Sequence, residues 1–327
     1  MTERWNIDRA RELSITLVDG VRVGHSTDVD GATGCTAVVC DRDAVAGIDV
    51  RGGATASREI ELLDPCGLVE TVQGVMLSGG SAMGLGCCQG AVEYFLNLKR
   101  GFVTEQGVVP IVVGAGLYDL GLGDGGAYPT KADGLAACES AGVDFERGNV
   151  GAGTGAVVGK IHGHENATKG GLGSAGWETD DGLKVGAIAA VNAFGDVVDS
   201  GSGKIVAGAR KDDGTALDTA LDTAAAMIAG DLRPIRFGSN TTLCVVATNA
   251  KLTKAEATVV ARIAQAGIGR AVSPCYTQYD GDMVFVLSMG DVECDVNRVG
   301  VLASRVVEAA ILDGVLCAES LHGVQSV

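Results

Sequence analysis

Aromatic residues make up only 4% of this 327-residue chain, and histidine occurs four times. A core so poor in rings has to be filled by small side chains set in closely packed layers. The sequence supplies them, with 46% hydrophobic residues interleaved with 50 glycines. The glycines follow no Gly-X-Y period, which excludes collagen, and they fall between apolar runs as turn punctuation does. Positive charge is lacking too. There are 25 Lys and Arg against 41 Asp and Glu, a net charge of -16, and no basic run. Nucleic-acid binders need a basic footprint, so that class is excluded, as is docking on an anionic membrane surface. No apolar run of about 18 residues is free of charge and frequent glycine, so no transmembrane helix is expected. The opening "MTERWNIDRARELSITLVDG" has no basic segment followed by an apolar one, so no signal peptide is expected either. The ten cysteines form no CxxC pair and have no histidines at zinc-ligand spacing. Several, such as Cys244 in "TLCVVAT", lie inside apolar runs. Buried free thiols in a reducing cytoplasm are the expected state.

What is present reads as alternating strands and helices. "ITLVDGVRVGH", "GCTAVVCD" and "AVAGIDVRGG" read as short strands of about 4–7 residues separated by turns. "VQGVMLSGGSAMGLGCCQGAVEYFLNLKRG" reads as a strand, a Gly-Gly turn and a helix with Ser81 as N-cap and Gly101 as its stop. Residues 131–141 form a short helix after the loop 121–130. The pattern at 184–199 has hairpin character, and 215–230 is Ala-rich and helical. A polar link, 231–240, leads to a strand at 243–248. A helix follows at 254–266, opened by the capping box Thr253–Glu256. Residues 282–290 read as a strand and 297–314 as a helix. Strands and helices follow each other without strict βαβ alternation. That order predicts an α/β or α+β sandwich of sheets and helices in layers, folded as one domain over residues 1–327.

The glycine-rich motifs invite a phosphate loop, but none fits. "TGAVVGKI" has Gly159-Lys160, yet Thr154 stands where the first Gly is needed and Ile161 where Ser or Thr is needed. "GAGTGA" does not meet GxGxxG. "HGHE" brings His162, His164 and Glu165 together, but no second carboxylate–histidine cluster accompanies it, so an exposed polar loop is expected and no metal. A G-x-S-x-G elbow is absent. The remaining candidate lies in "GSNTTLCVVATN", residues 238–249. A threonine hydroxyl is a weak nucleophile without a neighbouring base. An N-terminal threonine carries its own base, an α-amine with a pKa of about 7.7–8. A chain cut before that threonine exposes the amine, and the same hydroxyl can make the cut by an N-to-O acyl shift followed by hydrolysis. Asn240-Thr241, at the end of a polar link and the start of a β-branched run, satisfies this description. An ordinary strand start does so equally.

Six stretches in order separate the two readings: "DVRGGATASRE", "LSGGSAMGL", "GAGTGAVVGK", "KGGLGSA", "NTTLCVVATNAKLTK" and "YDGDMVFVLS". Together, over roughly residues 15–315, they resemble the P1 peptidases of family S58. These include L-aminopeptidase/D-esterases, β-peptidyl aminopeptidases and nylon-oligomer hydrolases. The resemblance implies an αββα sandwich of the kind seen in N-terminal-nucleophile hydrolases. It also implies self-cleavage into a large and a small subunit, here 1–240 and 241–327, and assembly into tetramers. Thr241 takes the place of the nucleophile. Gly238-Ser239 is a competing cleavage site, because some members cut at Gly-Ser. Lys160 would sit near the nucleophile, Asn192 would donate to the oxyanion, and Asp280 and Asp282 would hold the threonine amine. Asp280-Gly281 is also a hairpin signal. Tyr118 is expected to line a substrate pocket. Gly79, Gly80 and Ser81, at a helix start, are expected either to offer N–H groups to a substrate or to form a plain tight turn. The implied activity is amide hydrolysis of the aminopeptidase type, with a small peptide or amide substrate and no cofactor. An acyltransferase of the ornithine-acetyltransferase type shares the self-cleaving threonine and stays open, as does a non-catalytic binding protein.

Overall fold

The computed structural model describes residues 5–211, 222–230 and 240–327. Nine strands form one continuous sheet: β1 (Val21–Asp28), β2 (Thr33–Val50), β3 (Ala56–Arg58), β4 (Thr71–Ser78), β5 (Val112–Gly116), β6 (Gly171–Glu178), β7 (Lys184–Asn192), β8 (Thr241–Ala250) and β9 (Met283–Val292). Their spatial order is β6-β7-β8-β9-β2-β4-β5-β3, with β1 added to β2. The pairs β8–β9 and β4–β5 are parallel, and the others are antiparallel.

The sheet folds over so that its two ends face each other. Side chains alternate along each strand, so each strand serves two cores. Val38, Val75, Leu77 and Val113 from one end meet Leu172, Ile188, Leu243, Val245 and Phe285 from the other in the core between the layers. The opposite face of β6–β9 packs on helices α3 (Lys254–Ala271) and α4 (Val296–Leu316), through residues such as Val246, Val286, Ile268 and Val307. The outer face of β2, β4 and β5 packs on α1 (Cys88–Asn97) and α2 (Lys131–Glu139), through Cys35, Ala37, Met76, Phe95 and Cys138. The result is an αββα arrangement of four layers.

Local chemistry sets the helix starts. The Glu256 carboxylate accepts from the Thr253 N–H and hydroxyl, both at 2.8 Å, forming the expected capping box, though the helix runs on to Ala271. Asp295 caps α4 by accepting from Asn297 and Arg298 N–H, each at 3.0 Å. All ten cysteines are free, and Cys35, Cys40, Cys87, Cys88, Cys138 and Cys244 are buried.

Several expectations need correction. "GCTAVVCD" and "AVAGIDV" belong to one strand of 18 residues. The exposed Asp41–Asp43 stretch reads as a turn, but the chain passes through it with only a register shift. The long strand persists because its first half pairs with β1 and its second half with β9 along one edge. Residues 184–199 are not a hairpin. β7 pairs with β6 and β8, whereas Asp196–Asp199 joins a separate small sheet. Ser81 is the first helical residue rather than the N-cap, which is Gly80 in a left-handed conformation with φ 74°. Of the predicted helix 215–230, Asp222–Ala229 is helical and 215–221 lies outside the described residues. The link before Asn240, with Gly238 and Ser239, also lies outside them.

Candidate active site

Strands β7 and β8 bring their ends together where β7 finishes and β8 begins. Thr241, the first residue of β8, is directly opposite Asn192, the last residue of β7. Alternation places both on the face that carries Leu243, Ile188 and Ala190 into the core between the layers. Thr241 and Asn192 are both buried. The Thr241 hydroxyl donates to the carbonyl oxygen of Asn240, the residue before it.

Lys160 follows the short strand Val157–Val158 and reaches the same place. Its Nζ donates to the Asn192 backbone carbonyl at 2.9 Å and to Asn192 Oδ1 at 2.8 Å. Burial lowers the Lys160 pKa to about 7, although Asp280, Asp119 and Asp282 oppose the shift. An amine so placed is divided between its charged and neutral forms near pH 7. Asn192 Oδ1 also accepts from the Val157 N–H at 3.0 Å, and Nδ2 donates to the Tyr118 carbonyl at 2.9 Å. The amide expected to serve the oxyanion therefore holds Lys160 and ties down the Tyr118 loop. Tyr118 is half-buried and meets the cluster through its backbone carbonyl.

The two carboxylates come from the turn that enters β9. Asn240 and Asp280 form a parallel bridge that extends the β8–β9 pairing. The "DGD" segment therefore leads into a parallel strand and is not the turn of a hairpin. Asp280 accepts from the Thr277 hydroxyl at 2.6 Å, the Thr277 N–H at 3.1 Å and the Phe194 N–H at 3.2 Å. Burial raises its pKa nevertheless. Asp282 accepts from the Thr242 N–H at 2.7 Å and the Tyr276 N–H at 3.2 Å. Burial, and then the neighbouring Asp280, push it up to about 8. One carboxylic proton is thus retained in the pair near neutrality.

Gly79, Gly80 and Ser81 do not supply free N–H groups. Gly79 donates to the Gly34 carbonyl at 2.8 Å, Ser81 to the Leu117 carbonyl at 2.8 Å, and Gly80 to the Asp119 carboxylate at 2.7 Å. Of the two expectations for this segment, the tight turn is the one the structure has. Asp119 was not singled out by sequence reasoning. It also accepts from the Thr33 hydroxyl at 2.8 Å, and burial raises it to about 6. Lys169 was missed as well. Its Nζ donates to the carbonyls of Gly153, Ala156 and Gly170 at 3.1, 2.9 and 2.7 Å. A lone Lys or Asp in a glycine-rich run carries no sequence signal of burial. Among the described residues, no three His, Cys, Asp or Glu side chains are grouped to hold a metal ion. No described helix is long and apolar enough to cross a membrane.

Thr241, Lys160, Asn192, Asp280 and Asp282 thus gather where β7 ends and β8 and β9 begin. Similarity to known proteins gives the class. The model of peptidase family S58 matches residues 14–327, and the chain belongs to that family. It is 36% identical to an uncharacterized aminopeptidase of Mycobacterium tuberculosis, over 95% of this chain and 96% of that protein. It is 27% identical to the 6-aminohexanoate-oligomer endohydrolase of a Kocuria strain, over 90% of this chain and 83% of that one. Among solved structures, the L-aminopeptidase D-Ala-esterase/amidase of Ochrobactrum anthropi, described as a variant of the Ntn-hydrolase fold, superposes with a TM-score of 0.73. That match has 20% identity and covers 99% of this chain and 93% of that one. A Burkholderia β-aminopeptidase superposes with a TM-score of 0.71 at 20% identity, over 100% of this chain and 91% of that one. The protein is a hydrolase of peptide or other linear amide bonds with an Ntn-hydrolase-type fold.

Proposed function

We propose that the chain is a self-processing aminopeptidase or amidase whose nucleophile is Thr241, freed as an N-terminus by cleavage after Asn240. The observation that carries this reading is the Thr241 hydroxyl resting on the carbonyl group of the bond to be cut, with Lys160, Asn192, Asp280 and Asp282 gathered around it. In the uncut chain, neutral Lys160 serves as base. After the cut the Thr241 α-amine takes over, with a pKa of about 7.7–8 before the site adjusts it. Asp280 and Asp282 hold that amine and tune its proton affinity. The hydroxyl then attacks a substrate amide, the amine product leaves, and water releases the acid. The chain acts as one folded unit of a large subunit 1–240 and a small subunit 241–327, assembled into tetramers in the cytoplasm, with no cofactor.

Intact mass spectrometry of the purified protein tests this directly. Two fragments with a new N-terminus at Thr241, absent in Thr241→Ala, are the expected result. A new N-terminus at Ser239 moves the nucleophile, and an uncut wild-type chain removes it. Aminoacyl amides, β-peptides and 6-aminohexanoate oligomers are the substrates to screen. Release of free acid, rather than transfer of acetyl from an acetylated donor to glutamate, separates hydrolysis from acyl transfer.

A further inference from the structure

Deepening that reading, and resting on it, we propose that the backbone N–H of Gly281 is an oxyanion donor for Thr241. We further propose that the segment Arg51–Ala54 is present to aim it. The Gly281 N–H donates at 3.1 Å to the carbonyl oxygen of Asn240, the oxygen that the Thr241 hydroxyl also touches. Nucleophile and donor therefore converge on one carbonyl group. When Thr241 Oγ1 bonds to the Asn240 carbonyl carbon, its proton passes to Lys160 and the carbonyl electron pair moves onto that oxygen. The C–N bond then breaks as the Thr241 nitrogen takes up a proton, leaving an ester and a free amine. Water hydrolyses the ester to the Asn240 carboxylate and the Thr241 hydroxyl. Charge develops on the oxygen facing Gly281, where a fixed donor lowers the barrier without reorganising.

Fixity comes from the neighbouring segment. The Ala54 N–H donates to the Asp280 carbonyl at 2.9 Å, and the Arg51 N–H to the Asp282 carbonyl at 2.8 Å, one on each side of Gly281. The Asp280 N–H and the Gly53 N–H both donate to the Thr277 carbonyl, at 3.1 and 3.3 Å. The peptide group that carries the Gly281 N–H is thus held through its carbonyl, on the side away from Asn240. The approach is close enough to require glycine twice. A Cβ on Gly52, whose φ is +87°, would lie 2.3 Å from the Asp280 oxygen. A Cβ on Gly281 would lie 2.3 Å from the Ala54 oxygen and 3.0 Å from Thr241 Oγ1. Asn192, the donor expected from sequence, instead directs Nδ2 to the Tyr118 carbonyl.

Self-cleavage supplies the assay, because the chain is its own substrate. Freshly purified wild type, Thr241→Ala and Gly281→Ala are followed by intact mass spectrometry, with circular dichroism and melting to confirm folding. Folded Gly281→Ala, whose Cβ forces the peptide off its aim, should process at least about 100-fold more slowly than wild type. Cleavage of Thr241→Ala, or none in wild type, overturns the nucleophile and this inference with it. A cut wild type, an inert Thr241→Ala and a folded Gly281→Ala that cuts at the wild-type rate overturn this inference alone. Should Gly281→Ala fail to fold, a crystal structure of cut wild type with 1-aminoethylboronic acid on Thr241 decides. A boronate oxygen at about 3 Å from the Gly281 nitrogen supports the proposal, and one turned away from it overturns it.

Discussion

Lys160 and Lys169 are both buried beside one small ribbon, in which Val157–Val158 pairs with Thr168–Lys169. Desolvation lowers both to about 7. Their surroundings differ. Lys160 donates to the side chain and carbonyl of Asn192 and feels Asp280, Asp119 and Asp282. Lys169 donates to three backbone carbonyls and feels Asp119. The same burial penalty is thus answered in two ways. Lys160 stands among titrating carboxylates and the Asn192 amide. Lys169 fastens the turns at Gly153, Ala156 and Gly170, which bracket the strand leading to Lys160. A perturbed pKa alone does not distinguish a reagent from a clamp; the partners do.

The strongest way to break this comparison is to exchange each ammonium for an isosteric apolar chain. Lys160→Met should slow self-cleavage by about 10²–10⁴-fold, the scale of losing a general base, while Lys169→Met stays close to wild type. A mass-spectrometric time course of both variants checks this, and equal losses would erase the distinction. Stability should rank them the other way. Lys169→Met should lower the unfolding free energy by about 2–4 kcal/mol in urea titrations at pH 8, because three buried hydrogen bonds are lost, although the Gly153 and Ala156 carbonyls keep the Ala156 and Gly170 N–H groups. Lys160→Met should cost less, since only two hydrogen bonds are lost and Asn192 Oδ1 keeps the Val157 N–H.

Two pH profiles sharpen the contrast. Processing of wild type should rise with pH through about 7 as Lys160 loses its proton, and Lys169→Met should leave that profile in place. The second profile is that of stability. Lys169 has a folded pKa of about 7 against 10.5 when unfolded, so the unfolded chain binds the extra proton between these values. Its contribution therefore rises with pH across that window and is lost on acidification through about 7. The stability gap between wild type and Lys169→Met should widen from pH 7 toward pH 10. The difference between variants is needed because Asp282, raised from 3.8 to about 8, acts oppositely and loses its contribution as pH rises toward 8.

Much of this was legible in the residues. The β-branched apolar run in "TTLCVVAT" marked a strand, Thr253 and Glu256 marked a helix start, and the order of six motifs marked the family and its layered fold. The expected Lys160, Asn192, Thr241, Asp280 and Asp282 do converge on one place. Their hydrogen bonds were not legible, because they join segments far apart in the chain. Asn192 looked like a donor to substrate, yet it is turned by Lys160 and by the Tyr118 carbonyl. The turn at Asp41–Asp43 and the hairpin at 184–199 were local readings that pairing with distant strands overrode.

By itself, the sequence determined which segments are strands and helices, which faces are apolar, and that a small hydroxyl residue follows a polar link at a strand start. Those properties depend on periods of two and 3.6 residues and on neighbours along the chain. Only the tertiary structure decided which lysine lies beside the threonine and which merely clamps a loop. It alone set which amides were already spent, as at Gly79–Ser81, and which one points at the Asn240 carbonyl. Desolvation and hydrogen-bond direction are properties of the packed site, fixed by groups brought together from opposite ends of the chain.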